Sequence, residues 1–284
     1  MRLIDLHTHS TASDGTLSPP ELVRLAERSG VSVLAVTDHD TVEGLPAAGV
    51  EAARIGVQFV PGIEITAHVE DLEVHILGHF IDPNDNRLDE FLVSSRNDRI
   101  ERARRMIEKL WALGLPLDAD EVLRLAPGHS VGRPHVAQAM IRRGYVASLK
   151  EAFDRYLTSG KPGYVERSRI PAARAIRAIK EAGGVASLAH PGQYSHDEVI
   201  PFLVQHGLNG LELYHPEHTT ESLFRYERMC LEYGLVAVGG SDYHGTEGLR
   251  SMGLGRPALP EARFEQLLAA RAASRTPPVR AQAG

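Results

Sequence analysis

Histidine, aspartate and glutamate gather at several points of this chain, each time beside a run of apolar residues, and such side chains can hold divalent cations and activate water. Asp5-Leu6-His7-Thr8-His9 sets two imidazoles two residues apart at the end of an extended segment. Period-two geometry points both to one face, where they can chelate one ion. The turn Ser13-Asp14-Gly15 can swing a carboxylate into the same space, although aspartate is also an ordinary turn former. Further groups are Thr37-Asp38-His39-Asp40, Gly62-Ile63-Glu64-Ile65-Thr66, Glu73-Val74-His75-Ile76-Leu77, Ala189-His190-Pro191 and Ser241-Asp242-Tyr243-His244. Leu72, Val74 and Ile76 occupy one face of their segment, so His75 must face the other way, into the interior of a barrel.

Any one of these histidines alone is better explained as a hydrogen-bonded structural residue. Jointly, His7, His9, Asp14, His39, Glu64, His75, His190, Asp242 and His244 fall at one side of a sheet, and accident does not gather so many ligating groups there. Mixed imidazole and carboxylate donors suit manganese, iron or zinc better than copper or calcium. The set exceeds what one ion needs, so two or three divalent cations are expected, manganese foremost. A carboxylate such as Glu64 can bridge two cations, and water between cations loses its proton readily enough to attack at neutral pH. Hydrolysis is the natural chemistry of such a cluster.

The elements that must position these residues alternate in type. A strand at 2–7 precedes a helix opened by Ser18-Pro19-Pro20-Glu21, a capping box with proline at the first helical position. Strands are expected at 31–36, 58–63, 73–77, 184–189, 210–214 and 236–239, with helical periodicity between them, as at 172–182 and 221–233. Repeated β-α units predict a parallel sheet, and the strand count favours a closed barrel whose C-terminal strand ends collect the active site. Between 99 and 163 helical periodicity runs on without a strand, at 100–113, 119–125, 134–142 and 149–157. The expected organisation is an α/β barrel domain from 1–98 and 164–284, interrupted by a helical insertion at 99–163 that forms a lid over the site. The tail after Ala273, with Pro277 and Pro278, is expected to be disordered.

Composition narrows the function classes. With 43% apolar and 24% charged residues, no membrane-length apolar run and no signal peptide, the chain reads as a cytoplasmic globular protein with no membrane association and no obligate protein partner. Cys230 is the only cysteine, which excludes an internal disulfide and thiolate zinc fingers. A net charge of -6 argues against a broad binding surface for long nucleic acid.

In these motifs the sequence resembles the PHP (polymerase and histidinol phosphatase) family, whose four motifs match Asp5 to Ser10 with Asp14, Thr37 to Asp40, Gly62 to Glu64 with His75, and Ala189-His190-Pro191 with Asp242 to His244. It is most similar to short bacterial members that remove the 3'-phosphate from 3',5'-nucleoside bisphosphates, some relatives of which trim short RNA from the 5' end. The resemblance implies a distorted seven-stranded β/α barrel with two or three metal ions. One would sit on His7, His9, Glu64 and Asp242, a second on Glu64, His75 and His190. Asp14, His39 and His244 would hold a third, or else form an acid or substrate-binding cluster.

Clustered cations can neutralise a phosphoryl group, align its nucleophile and stabilise its leaving alkoxide. Either His39 or His244 is then the candidate leaving-group acid, with Asp14 orienting or activating water. For substrate choice, the insertion offers Ser130, Arg133 and His135 at a helix start, where exposed N–H groups suit a second phosphate. A plain helix cap with a solvent-facing arginine explains the same residues equally well. Lys161 and Arg169 are weaker candidates. His215 and His218 follow a strand and line the pocket without being ligands, while His68, His79, His129, His196 and His206 read as surface or capping residues.

The leading expectation is a phosphoesterase for a small phosphorylated nucleotide, with a 5'-3' exoribonuclease on short single-stranded RNA as its neighbour. Histidinol phosphate and phosphoserine are other monoester candidates. Amidohydrolase-type C–N hydrolysis is a more distant class, since no lysine stands at these strand ends to bridge metals and Glu64 must take that role. A noncatalytic domain would be expected to have lost ligands, and none is missing.

Overall fold

The structure, a computed structural model, describes residues 2–126, 131–166, 169–245 and 253–275. Its centre is a seven-stranded sheet with the strands in chain order. The barrel elements run β1 (Leu3–Asp5), α1 (Pro19–Arg28), β2 (Val31–Val36), α2 (Leu45–Ile55), β3 (Gln58–Val69) and β4 (Leu72–His79). A helical stretch follows: α3 (Asn86–Ala112), α4 (Ala119–Arg124), α5 (Arg133–Arg142) and α6 (Leu149–Ala152), the last continuing as a π-helical turn at Phe153–Leu157. The chain then returns through α7 (Ala172–Glu181), β5 (Val185–Leu188), α8 (Pro191–Tyr194), α9 (Val199–Gln205), β6 (Gly210–Tyr214), α10 (Thr220–Tyr233), β7 (Val236–Gly239) and α11 (Glu261–Arg275).

The parallel sheet expected from the alternation needs one correction. β4 is antiparallel to both β3 and β5, while β1–β2–β3 and β5–β6–β7 are parallel. The cause is local: β3 runs six residues beyond the expected 58–63 and turns at Glu70, in the left-handed region at φ 52, straight into β4. So short a link cannot make a crossover, and only an antiparallel partner can follow. The outer strands meet, because Leu6 donates from its backbone to Gly239 at 3.2 Å and His9 to Tyr243 at 2.9 Å. These bonds close the sheet on itself.

Two apolar layers hold the closed sheet. Inside it, Ile4, Leu6, Val33, Ala35, Val60, Val185 and Val238 pack together, and Phe264 and Leu267 of α11 seal one end. Outside it, residues of the other strand face, such as Leu34, Ile65, Ile76 and Leu211, meet Leu22, Ala48 and Ile176 from the surrounding helices. Helix α11 was not anticipated, and it carries the chain beyond Ala273 to Arg275; residues 276–284 lie outside the described part. Phe264 is fully buried, so Phe264→Ala should destabilise the fold by about 3–5 kcal/mol through the cavity it leaves. Urea unfolding would read this as a lower midpoint at unchanged slope; a change below about 1 kcal/mol would mean that α11 seals nothing.

Between β4 and α7 a second apolar cluster gathers Met106, Leu110, Val122, Val136, Met140 and Leu157. Its leading helix differs from expectation. Periodicity pointed to a start near residue 100, whereas α3 begins at Asn86, where the Asp85 carboxylate accepts the backbone N–H groups of Arg87 (3.0 Å) and Leu88 (3.1 Å). Leu88, Phe91 and Leu92 belong to the barrel's outer layer, and Ala103, Met106 and Leu110 to the second cluster. The boundary expected at 98/99 therefore falls within a continuous helix. Among the described residues no helix is long and apolar enough to cross a membrane.

Candidate metal centre

One mouth of the closed sheet is lined by imidazoles and carboxylates, and Glu64 is its hub. Glu64 lies within β3, not at its end, and is buried. Its Oε1 is 2.8 Å from His75 Nδ1 and 3.0 Å from His190 Nε2. Its Oε2 lies 3.2 Å from each of His7 Nε2, His9 Nε2 and His39 Nδ1. Asp242 Oδ1 completes one group at 3.3 Å from His7 Nε2 and 3.1 Å from His9 Nε2. Asp14 faces His244 Nε2 at 3.5 Å and His39 Nε2 at 3.9 Å, beside the stacked rings of His9 and His244.

The strand arrangement explains this convergence. His7 and His9 follow β1 in an extended segment tied to Tyr243, and Gly240 lets that segment approach. A Cβ at Gly240 would collide with the His7 backbone nitrogen and lie 2.6 Å from Asp5 Oδ1. His75 reaches the mouth for a reason different from the other imidazoles: β4 runs in reverse, so a residue near its start stands beside Thr66 at the top of β3. His190 and Asp242 both have positive φ, 26° and 49°, where the chain leaves its strand abruptly to turn a side chain inward.

Each sub-group suits a divalent ion. His7, His9, Glu64 and Asp242 offer ligand atoms within 4.8 Å of one another, as do His39, Glu64 and His75, and His9, Asp14, His39 and His244. Neighbouring ligands of one ion with bonds of about 2.1 Å stand about 3 Å apart, the spacing that Glu64 and Asp242 keep from the imidazoles. The protonation pattern points the same way. Burial pulls the His7 pKa down, yet Glu212, Asp242 and Glu64 together hold it well above the ordinary value. Burial likewise opposes charge on His9 and His75, but their carboxylate neighbours raise them to about 10 and about 9. Burial would raise Glu64, and His39, His7 and His75 override it to keep it well below the usual carboxylate range. Asp242 and Asp14 are depressed in the same way, against burial, by His7 and His39 respectively and by other imidazoles around each. For His39, burial prevails and lowers the pKa to about 3.

The sequence matches the PHP domain family over residues 5–168, more than half of the chain. The chain belongs to the PHP family. It is 36% identical over 260 residues to a 3',5'-nucleoside bisphosphate phosphatase of Chromobacterium violaceum, covering 89% of this chain and 91% of that protein. It is also 36% identical over 246 residues to a 5'-3' exoribonuclease of Haemophilus influenzae, covering 84% and 89% of the two. A phosphoribosyl 1,2-cyclic phosphate 1,2-diphosphodiesterase of Eggerthella lenta is 36% identical over 251 residues, 86% of this chain and 95% of that one. Among solved structures, an amidohydrolase from Chromobacterium violaceum with bound sulfate and no metal superimposes at a TM-score of 0.83 with 34% identity, covering 94% of this chain and 96% of the other.

Around this PHP site the substrate candidates are placed unequally. His135 is buried at the start of α5; its Nδ1 accepts the Gly132 N–H at 3.1 Å. Burial lowers its pKa, and the charges of Asp14 and Arg99 act on it. Arg133 is half-buried with its guanidinium over Phe153 (5.7 Å) and Tyr164 (6.0 Å). Lys161 is exposed, and Arg169 is engaged by Asp71 and Glu166. Ser130 and His129 lie outside the described residues.

Several residues at the site escaped the sequence reading. Asp38 accepts from Ser10 N (2.7 Å), Ser10 Oγ (2.7 Å) and Ser13 Oγ (2.8 Å), fixing the loop between His9 and Asp14. Asp5 accepts from Ser241 N (2.9 Å), Ser241 Oγ (2.6 Å) and Gly255 N (2.7 Å), stitching β1 to the segment after β7. Asp40 receives Arg99 Nε at 2.8 Å, which brings α3 to the mouth. His79 proves fully buried, with Nε2 2.8 Å from the Leu6 carbonyl, and is no surface residue. His215, which the sequence places at the pocket, is buried 3.4 Å from Asp242, whereas Glu212, without such an expectation, lies 2.9 Å from His7.

Proposed function

We propose that this PHP-family enzyme hydrolyses the 3'-phosphate of 3',5'-nucleoside bisphosphates to the 5'-nucleotide and phosphate, with two or three divalent cations, manganese foremost. They would be held by His7, His9, Asp14, His39, Glu64, His75, His190, Asp242 and His244. The observation that carries this reading is Glu64, whose two oxygens each face imidazoles from different strands, the arrangement of a carboxylate bridging two ions. Bound cations would supply charge neutralisation and an acidified water. The Chromobacterium relative supports the substrate, and its coverage of nearly the whole chain supports transfer of the activity class.

The protein's own side chains divide the remaining work. Asp14 is positioned beside His244 and His39 to orient water or a proton, and His39, with its pKa lowered to about 3 by burial, is suited to ligation. With two ions bound and the Asp14 cluster free of metal, His244, the more exposed of the two, would be the better placed leaving-group acid. The helices of 99–163 would form the lid, with Arg133, His135 and Arg99 receiving the second phosphate near the start of α5. The Haemophilus relative favours a second reading, 5'-3' trimming of short RNA at the same centre.

Phosphate release by the manganese-loaded enzyme from a 3',5'-bisphosphate, simple monoesters and a short 5'-phosphorylated RNA tests both readings. The bisphosphate should be turned over most efficiently; release from none of them would end the esterase reading. Arg133→Ala should raise KM for the bisphosphate about tenfold to a hundredfold, as expected for a lost charge-assisted contact, and change KM for a monophosphate little. Equal effects on both substrates would remove Arg133 from the second-phosphate pocket.

A further inference from the structure

Every strand of the barrel except β6 delivers a member of the proposed ligand set, and β6 carries a different kind of group. Within Gly210–Tyr214, Leu211 and Leu213 join the outer apolar layer, so Glu212 points inward, fully buried. Its Oε1 is 2.9 Å from His7 Nδ1, and its Oε2 accepts the backbone N–H of His190 at 2.7 Å. Both oxygens are committed to residues of the centre.

We infer that Glu212 is a positioning residue that ties together ligands of two different cations, one through a side chain and the other through the main chain. This rests on the reading of the cluster as a metal centre. His7 presents Nε2 to Glu64 and Asp242, so its opposite nitrogen must carry the proton that Glu212 accepts. A carboxylate in that place fixes the tautomer, orients the ring and strengthens the imidazole as a donor. His190 depends on Glu212 in another way. It leaves β5 in the left-handed region, at φ 26 and ψ 56, and its N–H turns away from the sheet ladder. The Glu212 carboxylate accepts it and thereby holds the turn that aims His190 Nε2 at Glu64 Oε1, 3.0 Å away.

The residue just beyond β6 adds a narrower support. His215 Nδ1 accepts the Glu217 N–H at 3.2 Å, which leaves its proton on Nε2, 3.4 Å from Asp242 Oδ2. This holds one carboxylate of one ion only.

The two supports predict different losses. In Glu212→Gln the amide has a single acceptor oxygen, so whichever way it turns, either His7 or His190 meets an N–H donor. Manganese titration of the full chain by calorimetry, with metal analysis, should give two or more ions bound by the wild type. Glu212→Gln should weaken at least two of these together, each about tenfold to a hundredfold, whereas His215→Asn should weaken one. Glu212→Asp, which keeps the charge but is too short to span both donors, gives the same joint loss in smaller measure, and circular dichroism of the metal-free variants verifies that they fold. Wild-type affinity at every site in the Glu212 variants, or loss of a single ion with the other unchanged, would overturn the inference while leaving the metal centre intact. A wild-type chain that binds no divalent ion would overturn the metal reading itself and this inference with it.

Discussion

Glu64→Gln is expected to lower kcat/KM by at least about a thousandfold, equivalent to about 4 kcal/mol of transition-state stabilisation. The residue's volume is unchanged, so the effect must come from charge and valence. Glu64 faces five imidazoles with two oxygens, and glutamine would present one neutral acceptor and one amide nitrogen to the same ring of nitrogens. Neither side of an amide can replace a shared carboxylate between two cations. Steady-state rates with saturating manganese, together with the metal content of the purified variant, measure the outcome. A variant that keeps two ions and loses less than tenfold in rate would show that Glu64 is no bridge.

At each of the two ions assigned to the His7–His9 and His39–His75 groups, manganese affinity should fall by at least about tenfold for each unit that pH is lowered from 8 to 6, with a proton displaced from His9 at one and from His75 at the other. The sign follows from the metal-free site. His9 is raised to about 10 and His75 to about 9, so both carry a proton throughout this range, and a ligating nitrogen must give it up. Calorimetry in two buffers of different ionisation enthalpy counts the protons released; a pH-independent constant would contradict the geometry. Without metal the same two histidines act on stability in the opposite sense. Their folded pKa values exceed the unfolded value of 6.5, so their contribution is complete below that pH and is lost as pH climbs through about 9 and 10.

Much of this centre is legible in the sequence, because its imidazoles and carboxylates sit in short polar motifs beside apolar segments. His7, His9, Glu64, His190 and Asp242 stand out by chemical type, and the structure brings them together. What was missed had weaker local signals. The reversal of β4 depends on where β3 stops, and the apolar pattern there gives no sharp stop before Glu70. Helix α11 has little amphipathic contrast around Phe264 and Leu267, so its sealing role emerges only when the barrel exists to be sealed. Asp5, Asp38 and Asp40 lie beside ligands in sequence but bind backbone and hydroxyl groups far away along the chain. Glu212 was the readable omission: a carboxylate alternating with two leucines in a strand has to face the interior and therefore needs a partner there.

Helix α3 spans 27 residues, about 40 Å at 1.5 Å per residue, with one end anchored among barrel side chains and the other among those of the second cluster. It is a beam shared by two bodies, and Arg99, clamped to Asp40, acts as a rivet midway along it. If the helices of 99–163 form the proposed lid, access for substrate would depend on bending or tilting a continuous rod instead of swinging a loop, and the stiffness of one helix would set how quickly product leaves.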